Sequence, residues 1–424
     1  MSAVADHALT PRRELGTLLA LGAVQFTHIV DFMIMMPLGS QLMRQFDITP
    51  AQFTVLVASY GFAAAISGLA GGFVMDRYDR KRALLILYAG FALATLACGL
   101  APTHHWLMAA RIAAGAFGGL AGSMVSAMVG DIIPPQRRGR AMSIVMGAFP
   151  IASVLGVPAG LMLAGMFSWH APFFMLAAVS MAVFALAAFV LPHLRTAVRD
   201  TNPWKQMSEI VTHRTHLRAF AVSAPLVMAG GCLVPFIAPS MIANLGLTET
   251  QLPWAYAAGG VCTFFTMPLV GRLSDRVDKL KLLAWMSAAA VVVVLIYTNL
   301  QSASLVLACA MMALFMVTMS SRFTPTMTMI TNAVDARYRG GFMSVNAALQ
   351  QAASGLSNVL AGMFITREAS GRLAGLPNLG YVSVGFFVLT VLCAAELRSI
   401  APHVSAPHKA PSPPVPELAK ETAA

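Results

Sequence analysis

The chain predicts an all-α membrane protein of twelve transmembrane helices arranged as two six-helix bundles. Apolar residues fill 58% of its 424 positions and charged residues only 11%, against ~25% charged in an ordinary soluble domain. The apolar residues gather into twelve stretches of about the ~20 residues that cross a bilayer core as helix. A charged turn, Asp76-Arg77-Tyr78-Asp79-Arg80-Lys81-Arg82, recurs 199 residues later as Asp275-Arg276-Val277-Asp278-Lys279-Leu280-Lys281, each copy four residues after a glycine, Gly72 and Gly271. A charged turn repeated between equivalent spans marks two related halves, the plan of a transporter rather than of an enzyme.

In chain order the predicted spans cover 16–40, 53–75, 83–101, 106–129, 141–166, 171–192, 218–243, 253–273, 282–300, 303–325, 341–366 and 379–398. Gly, Ser and Asn dilute the apolar signal of the fifth and eleventh. The resulting organisation is a segment 1–15, a first bundle 16–192, a linker 193–217, a second bundle 218–398 and a tail 399–424. The linker is basic and carries Ile210-Val211, so it reads either as a short interfacial helix or as a solvated loop. From Ala401 onward prolines recur and apolar anchors are few, which predicts disorder.

Two further repeats support the duplication. Ile48-Thr49-Pro50-Ala51-Gln52-Phe53 matches Leu247-Thr248-Glu249-Thr250-Gln251-Leu252, and Arg138-Gly139-Arg140-Ala141-Met142-Ser143 matches Arg339-Gly340-Gly341-Phe342-Met343-Ser344. The formal charge of +11 is distributed by topology. With the N-terminus inside, 23 basic residues fall on inner segments and only Arg44, Arg367 and Arg372 on outer ones, which places both termini in the cytoplasm. That distribution replaces nucleic-acid binding as the reason for the charge. No cleavable leader is evident, and Cys98, Cys232, Cys262, Cys309 and Cys393 lie singly in spans, without pairing or metal-ligand spacing.

The turn Gly72-Phe73-Val74-Met75-Asp76-Arg77-Tyr78-Asp79-Arg80-Lys81-Arg82 resembles the motif between spans two and three of the major facilitator superfamily. The family's usual glycine is replaced by Asp79. The resemblance extends over all twelve spans and implies the major facilitator fold. It assigns conformational gating to Gly72, Asp76, Arg77, Arg80, Asp131, Gly271, Asp275 and Arg276: Asp76 would cap the eleventh span, Arg80 would pair with Asp131, and Asp275 would act on the fifth span. A carboxylate suits the start of a helix because the macrodipole favours negative charge there.

Asp31 alone among the 17 acidic residues lies well inside an apolar span. A charge at mid-helix costs ~2.5 to 3.5 kcal/mol on insertion scales, so its retention points to function, and a carboxylate so placed suits proton coupling. Arg111, in Arg111-Ile112-Ala113-Ala114-Gly115-Ala116-Phe117-Gly118-Gly119, resembles the family's fourth-span arginine and glycine motif, to which the family assigns proton relay. At ~1.5 Å per residue, Asp31 lies ~13 Å and Arg111 ~8 Å below the outer ends of their helices, so contact is feasible. His28, three residues before Asp31, shares its helix face and either joins the coupling or is simply hydrogen-bonded. Gln25, Arg322, Asn346 and Gln350 are polar inside spans and either line a cavity or bridge helices.

In the fifth span, Gly156-Val157-Pro158-Ala159-Gly160 is similar to the motif associated with antiporters of the superfamily, in the form seen in sugar-efflux-like and drug-efflux-like members. No nucleotide-binding loop, metal-binding histidine pair or nucleophile elbow appears. The expected function is therefore secondary transport, proton-coupled efflux of a small organic molecule from a bacterial cytoplasmic membrane. The chain would act as a monomer, in lipid, on a small-molecule substrate and protons, without cofactor, metal or nucleic acid. Proton symport for uptake uses the same parts, and a non-transporting membrane sensor is the alternative from another class.

Overall fold

The computed structural model describes residues 10–74, 79–134, 137–192, 203–335 and 337–406. Span 1 is Pro11–Ile34, followed by a short helix Gly39–Gln45. Spans 2, 3 and 4 are Pro50–Val74, Arg80–Gly99 and His104–Ile132. Span 5 runs from Arg138 to Met166 in consecutive pieces, and span 6 is Ala171–Val190. A short helix Pro203–Thr212 leads to span 7, Arg214–Gly231 continued by Val234–Ala243. Spans 8 to 12 are Leu252–Arg276, Lys279–Asn299, Leu305–Asn332, Arg339–Phe364 and Leu376–Ile400. A two-residue hairpin, Thr366–Arg367 with Leu373–Ala374, joins the last two.

By length and apolarity alone ten of these helices qualify to cross a membrane. Spans 8 and 11 do not, although they are 25 and 26 residues long. The expected dilution holds for span 11, but it is span 8 rather than span 5 that shares it, because Pro253, Trp254, Tyr256 and paired glycines offset its apolar residues.

All three sequence repeats become the same local device in each half. In the first repeat the glutamine side chain reaches back to the threonine amide in both halves, and in the first half Thr49 Oγ1 also accepts from Gln52 N at 3.2 Å, which completes a capping box. Gln52 Oε1 accepts from Thr49 N at 2.8 Å, and Gln251 Oε1 accepts from Thr248 N at 3.0 Å. In the charged turn, Asp79 Oδ1 accepts from Arg82 N at 2.9 Å and Asp278 Oδ1 from Lys281 N at 3.0 Å. Asp79 therefore stands in place of glycine because it caps span 3, where a carboxylate also meets the positive end of the helix. In the third repeat, Arg138 donates to Ile133 O and Arg339 to Val334 O, closing the ends of spans 4 and 10.

We call the face on which span 1 begins and span 12 ends the basic face, and its opposite the far face. One apolar cluster joins both halves at the far face, running from Ile34, Phe53 and Val157 to Phe236, Tyr256 and Leu379. Toward the basic face it divides. Leu21, Leu84 and Val125 belong to one cluster, and Val222, Leu283 and Phe342 to another. The bundles thus share a core at the far face and part toward the basic face. Helix Pro203–Thr212 docks on the second bundle: Ile210 is buried in its core, and Tyr338 donates to Glu209 at 2.7 Å. That settles the linker as helix over these residues. The first residues of the tail differ from expectation, since Pro402–Ser405 forms a 3-10 turn with Val404 buried, held by Lys279 Nζ donating to Ala406 O at 2.6 Å, while residues 407–424 of the expected disordered tail lie outside the described residues.

Glycines set the closest helix approaches. A β-carbon on Gly355 of span 11 would lie 3.0 Å from the Phe62 ring of span 2, and one on Gly260 of span 8 would lie 2.8 Å from Ser153 O of span 5. Span 5 meets span 1 in the same way at Gly160, where a β-carbon would come 2.7 Å from Ile34. Its π turn Ala152–Gly156 comes just before Pro158, which lacks an amide hydrogen and so releases a backbone carbonyl. Gly260→Val should force spans 5 and 8 apart at a cost of about 1 to 3 kcal/mol. Thermal unfolding of the purified protein checks this: the midpoint should fall by several degrees, whereas Gly165→Ala, whose β-carbon meets nothing within 4 Å, should leave it in place.

Candidate functional site

Spans 1 to 4 meet around Asp31. Its side chain and that of Arg111 are both 0% exposed, and Arg111 Nη1 donates to Asp31 Oδ2 at 2.8 Å. The same nitrogen donates to the Asp31 backbone carbonyl at 3.1 Å, and Thr95 Oγ1 approaches Oδ1 at 3.4 Å. The guanidinium carbon lies 4.3 Å from the centre of the Tyr60 ring, a cation–π contact on its free side. The glycines after Arg111 make this possible. A β-carbon on Gly119 would lie 2.7 Å from Ala64 O, so span 2 can lie flush against span 4 and bring Tyr60 beneath the arginine.

His28 sits one turn from Asp31, its ring centre 5.9 Å from that of Tyr60 and 5.8 Å from that of Phe91. Gln25 follows one turn farther, half-buried, with Oε1 near Gly122. Several buried polar atoms here have no partner among the described residues: Gln25 Oε1, His28 Nε2, Tyr60 Oη, Arg111 Nε and Arg111 Nη2. Among the described residues no group of three His, Cys, Asp or Glu could hold a metal ion.

The gating residues are distributed differently. Arg80 Nε donates to Asp131 Oδ2 at 3.1 Å, with Arg80 buried. Gly72 falls in the last turn of span 2, while Asp76 and Arg77 lie outside the described residues. Asp275 and Arg276 are exposed at the end of span 8, after Gly271, and Asp275 makes no hydrogen bond or ion pair to span 5 among the described residues. Of the fifth-span residues, Gly156 and Gly160 form its contact with span 1, facing Val30 and Ile34, and Pro158 is buried.

Arg322 and Asn346, expected from their depth to face a cavity or bridge helices, are both buried, and Arg322 bridges helices of the second bundle. Arg322 Nε donates to Ser287 Oγ at 3.2 Å, with its guanidinium carbon 4.2 Å from the Phe387 ring centre. Gln350 bridges helices, donating to Ser223 Oγ at 3.0 Å. Helix rotation, which depth does not reveal, decides these placements.

Sequence reasoning missed the polar contact between bundles at the far face. Glu249 receives Gln41 Nε2 at 2.7 Å and pairs with Arg44. Arg44 carried a signal, being one of the three basic residues on the outer segments. Tyr60 and Thr95 were also missed, and nothing in their local sequence distinguishes them.

The sequence profile of the Major Facilitator Superfamily matches residues 21–230 and again 219–421. The chain belongs to the Major Facilitator Superfamily. It is therefore a multi-pass membrane transporter. Among relatives, it is 26% identical over 266 residues to an uncharacterized MFS-type transporter, YceJ, of Bacillus subtilis, covering 62% of this chain and 67% of the relative. It is 23% identical over 282 residues to a chloramphenicol efflux pump of Mycobacterium tuberculosis, covering 66% and 67%. In structure it resembles a bacterial homolog to the human lysosomal transporter Spinster, in inward-facing and occupied conformation, with a TM-score of 0.75 at 17% identity. That match covers 95% of this chain and 100% of the other, and it shows the fold alone.

The far-face contact generates a prediction for this Major Facilitator Superfamily member. Glu249 and Arg44 are partly exposed, with side chains 31% and 49% accessible, so their pair is worth ~0.2 to 1 kcal/mol. Glu249→Gln should shift the balance between far-face-closed and far-face-open forms by up to about fivefold. Distance distributions between spin labels at the far-face ends of spans 3 and 9 should gain a longer component.

Proposed function

We propose that this transporter couples proton movement to the export of a small organic molecule, by rocking its two bundles around a site at mid-membrane. The observation that carries the reading is the fully buried Asp31–Arg111 pair. A carboxylate at that depth is costly and marks an ion or proton pathway, and its partner can hold the charge when the proton leaves. Efflux is supported by the relatives, one a chloramphenicol efflux pump and another named multidrug resistance protein MdtL. The fifth-span glycines and Pro158 belong to the same reading.

In this proposal the basic face is cytoplasmic, following the distribution of Lys and Arg, and the protein works as a monomer in a bacterial cytoplasmic membrane. The moving units are residues 16–192 and 218–398, joined by 193–217. The parting of the bundles at the basic face then corresponds to an inward-facing form, held by Glu249 at the outer side. Asp76 on span 11, and Asp275 on span 5, would latch the opposite, outward-facing form. The Arg80–Asp131 pair would tie the charged turn to span 4.

Inverted vesicles with an acid lumen test the reading, with chloramphenicol and a panel of small drugs as probes. An exporter should release lumenal protons when its substrate is added, and Asp31→Asn should abolish that release while leaving expression near normal. Substrate accumulation in the Asp31→Asn variant at the wild-type rate would sink proton coupling through Asp31. An uptake symporter should show no such exchange in that direction.

A further inference from the structure

Spans 2 and 11 meet backbone to backbone as they reach the far face, where a β-carbon on Gly362 would lie 2.9 Å from the Ala51 Cα. Beside that contact lies a groove of about 490 Å³, within the ~300 to 1,000 Å³ of small-molecule sites. One wall is residues 47–51, where the first bundle enters span 2. The other wall is Met363, Ile365, Thr366 and Arg367, where the second bundle leaves span 11. Two opposite charges stand on opposite walls. Asp47 and Arg367 are both exposed, and neither side chain makes a hydrogen bond or ion pair among the described residues. By contrast, Arg44 and Glu249 on the same face pair with each other.

An apolar track leads from the groove toward the middle of the membrane. Val55, Phe62 and Ile66 on span 2 and Leu356 and Met363 on span 11 are all exposed, and their spacing keeps each set on one helix face. The two sets adjoin, because the Phe62 ring lies against Gly355. A charged groove at the level where two helices leave the hydrocarbon, with an apolar track running inward from it, has the layout of a phospholipid. The charges select the headgroup. The guanidinium fork of Arg367 matches a phosphate, and the Asp47 carboxylate only accepts, so its partner is a cation with N–H to donate. Phosphoethanolamine supplies both groups. The quaternary nitrogen of choline has no hydrogen to give, and a phosphoglycerol headgroup brings Asp47 no cation.

We propose that this groove seats the headgroup of a phosphatidylethanolamine molecule of the far-face leaflet, its phosphate on Arg367, its ammonium on Asp47 and an acyl chain along the track between spans 2 and 11. The two walls belong to different bundles, so the seated headgroup joins them and favours the far-face-closed form. That consequence rests on the rocking of the bundles proposed above, whereas the binding itself does not.

Native mass spectrometry of the whole purified protein tests the site, with phosphatidylethanolamine, phosphatidylcholine and phosphatidylglycerol of matched chains added in equal amounts. The protein should retain phosphatidylethanolamine several-fold over either of the others. Asp47→Asn should erase its preference over phosphatidylcholine, and Arg367→Gln should weaken retention of both. Neither side chain holds the fold together, so both variants should express and unfold as the wild type does. Equal retention of the three lipids, or a preference unchanged in the double variant, would overturn the site. Displacement by an equal concentration of water-soluble phosphoethanolamine would make the ligand a free solute and overturn the lipid. In vesicles, spin labels at the far-face ends of spans 3 and 9 should report a larger closed fraction in phosphatidylethanolamine than in phosphatidylcholine, and Asp47→Asn should remove the difference. A lipid preference without that difference would overturn the bracing of the bundles and leave the headgroup site standing.

Discussion

A carboxylate and a guanidinium removed from water inside a membrane must satisfy one another, and the arrangement of the first four spans follows from that requirement. Desolvation of two charges costs several kcal/mol each, and the cost is offset only where their geometry is close. Arg111 gives one nitrogen to both the carboxylate and the backbone of Asp31, and lays its plane near the Tyr60 ring. Thr95 approaches the second carboxylate oxygen. Each of these contacts comes from a different span. The glycines of span 4 are a consequence of the same constraint, because a bulkier face would hold span 2 and Tyr60 too far away.

The two halves share their ends and differ in their interiors. Glutamine bonds to a threonine amide, aspartate caps and arginine closures recur at equivalent turns. These are local devices that any helix of this architecture needs. The buried chemistry does not recur. The first bundle holds a paired charge, and the second holds Arg322, which rests on Ser287 and Phe387 with no carboxylate within 4.0 Å among the described residues. A duplicated scaffold whose interiors have diverged can give its halves different tasks.

The far-face seam shows how such a scaffold can move. Spans 2 and 11, and spans 5 and 8, meet through glycines at the level where the apolar clusters of both bundles merge. Glycine contacts are tight yet lack interlocking side chains, so they can slide or separate without rotamer strain. The polar contact of Glu249 with Arg44 and Gln41 lies at the outer edge of that seam. An exposed pair is weak, which suits a contact that would break in the proposed rocking cycle.

The sequence by itself determined the twelve spans, the duplication, the face that carries the positive charge and the singularity of Asp31. Those are properties of contiguous segments: hydropathy acts over one helix, and a capping residue acts within one turn. Depth along a helix is legible in the same way, and depth alone makes contact between Asp31 and Arg111 feasible. Tertiary structure decided the rest. Rotation of span 10 turned Arg322 inward, and the closeness of spans 2 and 4 brought Tyr60 to the ion pair. The joining of Glu249 to Arg44 crosses 205 residues of sequence. Asp79 departs from the family pattern, and the reason is the placement of its carboxylate on the amide of Arg82. The tertiary outcomes depend on the relative rotation and register of helices distant in sequence, which hydropathy and spacing leave open because many rotations bury apolar surface equally well.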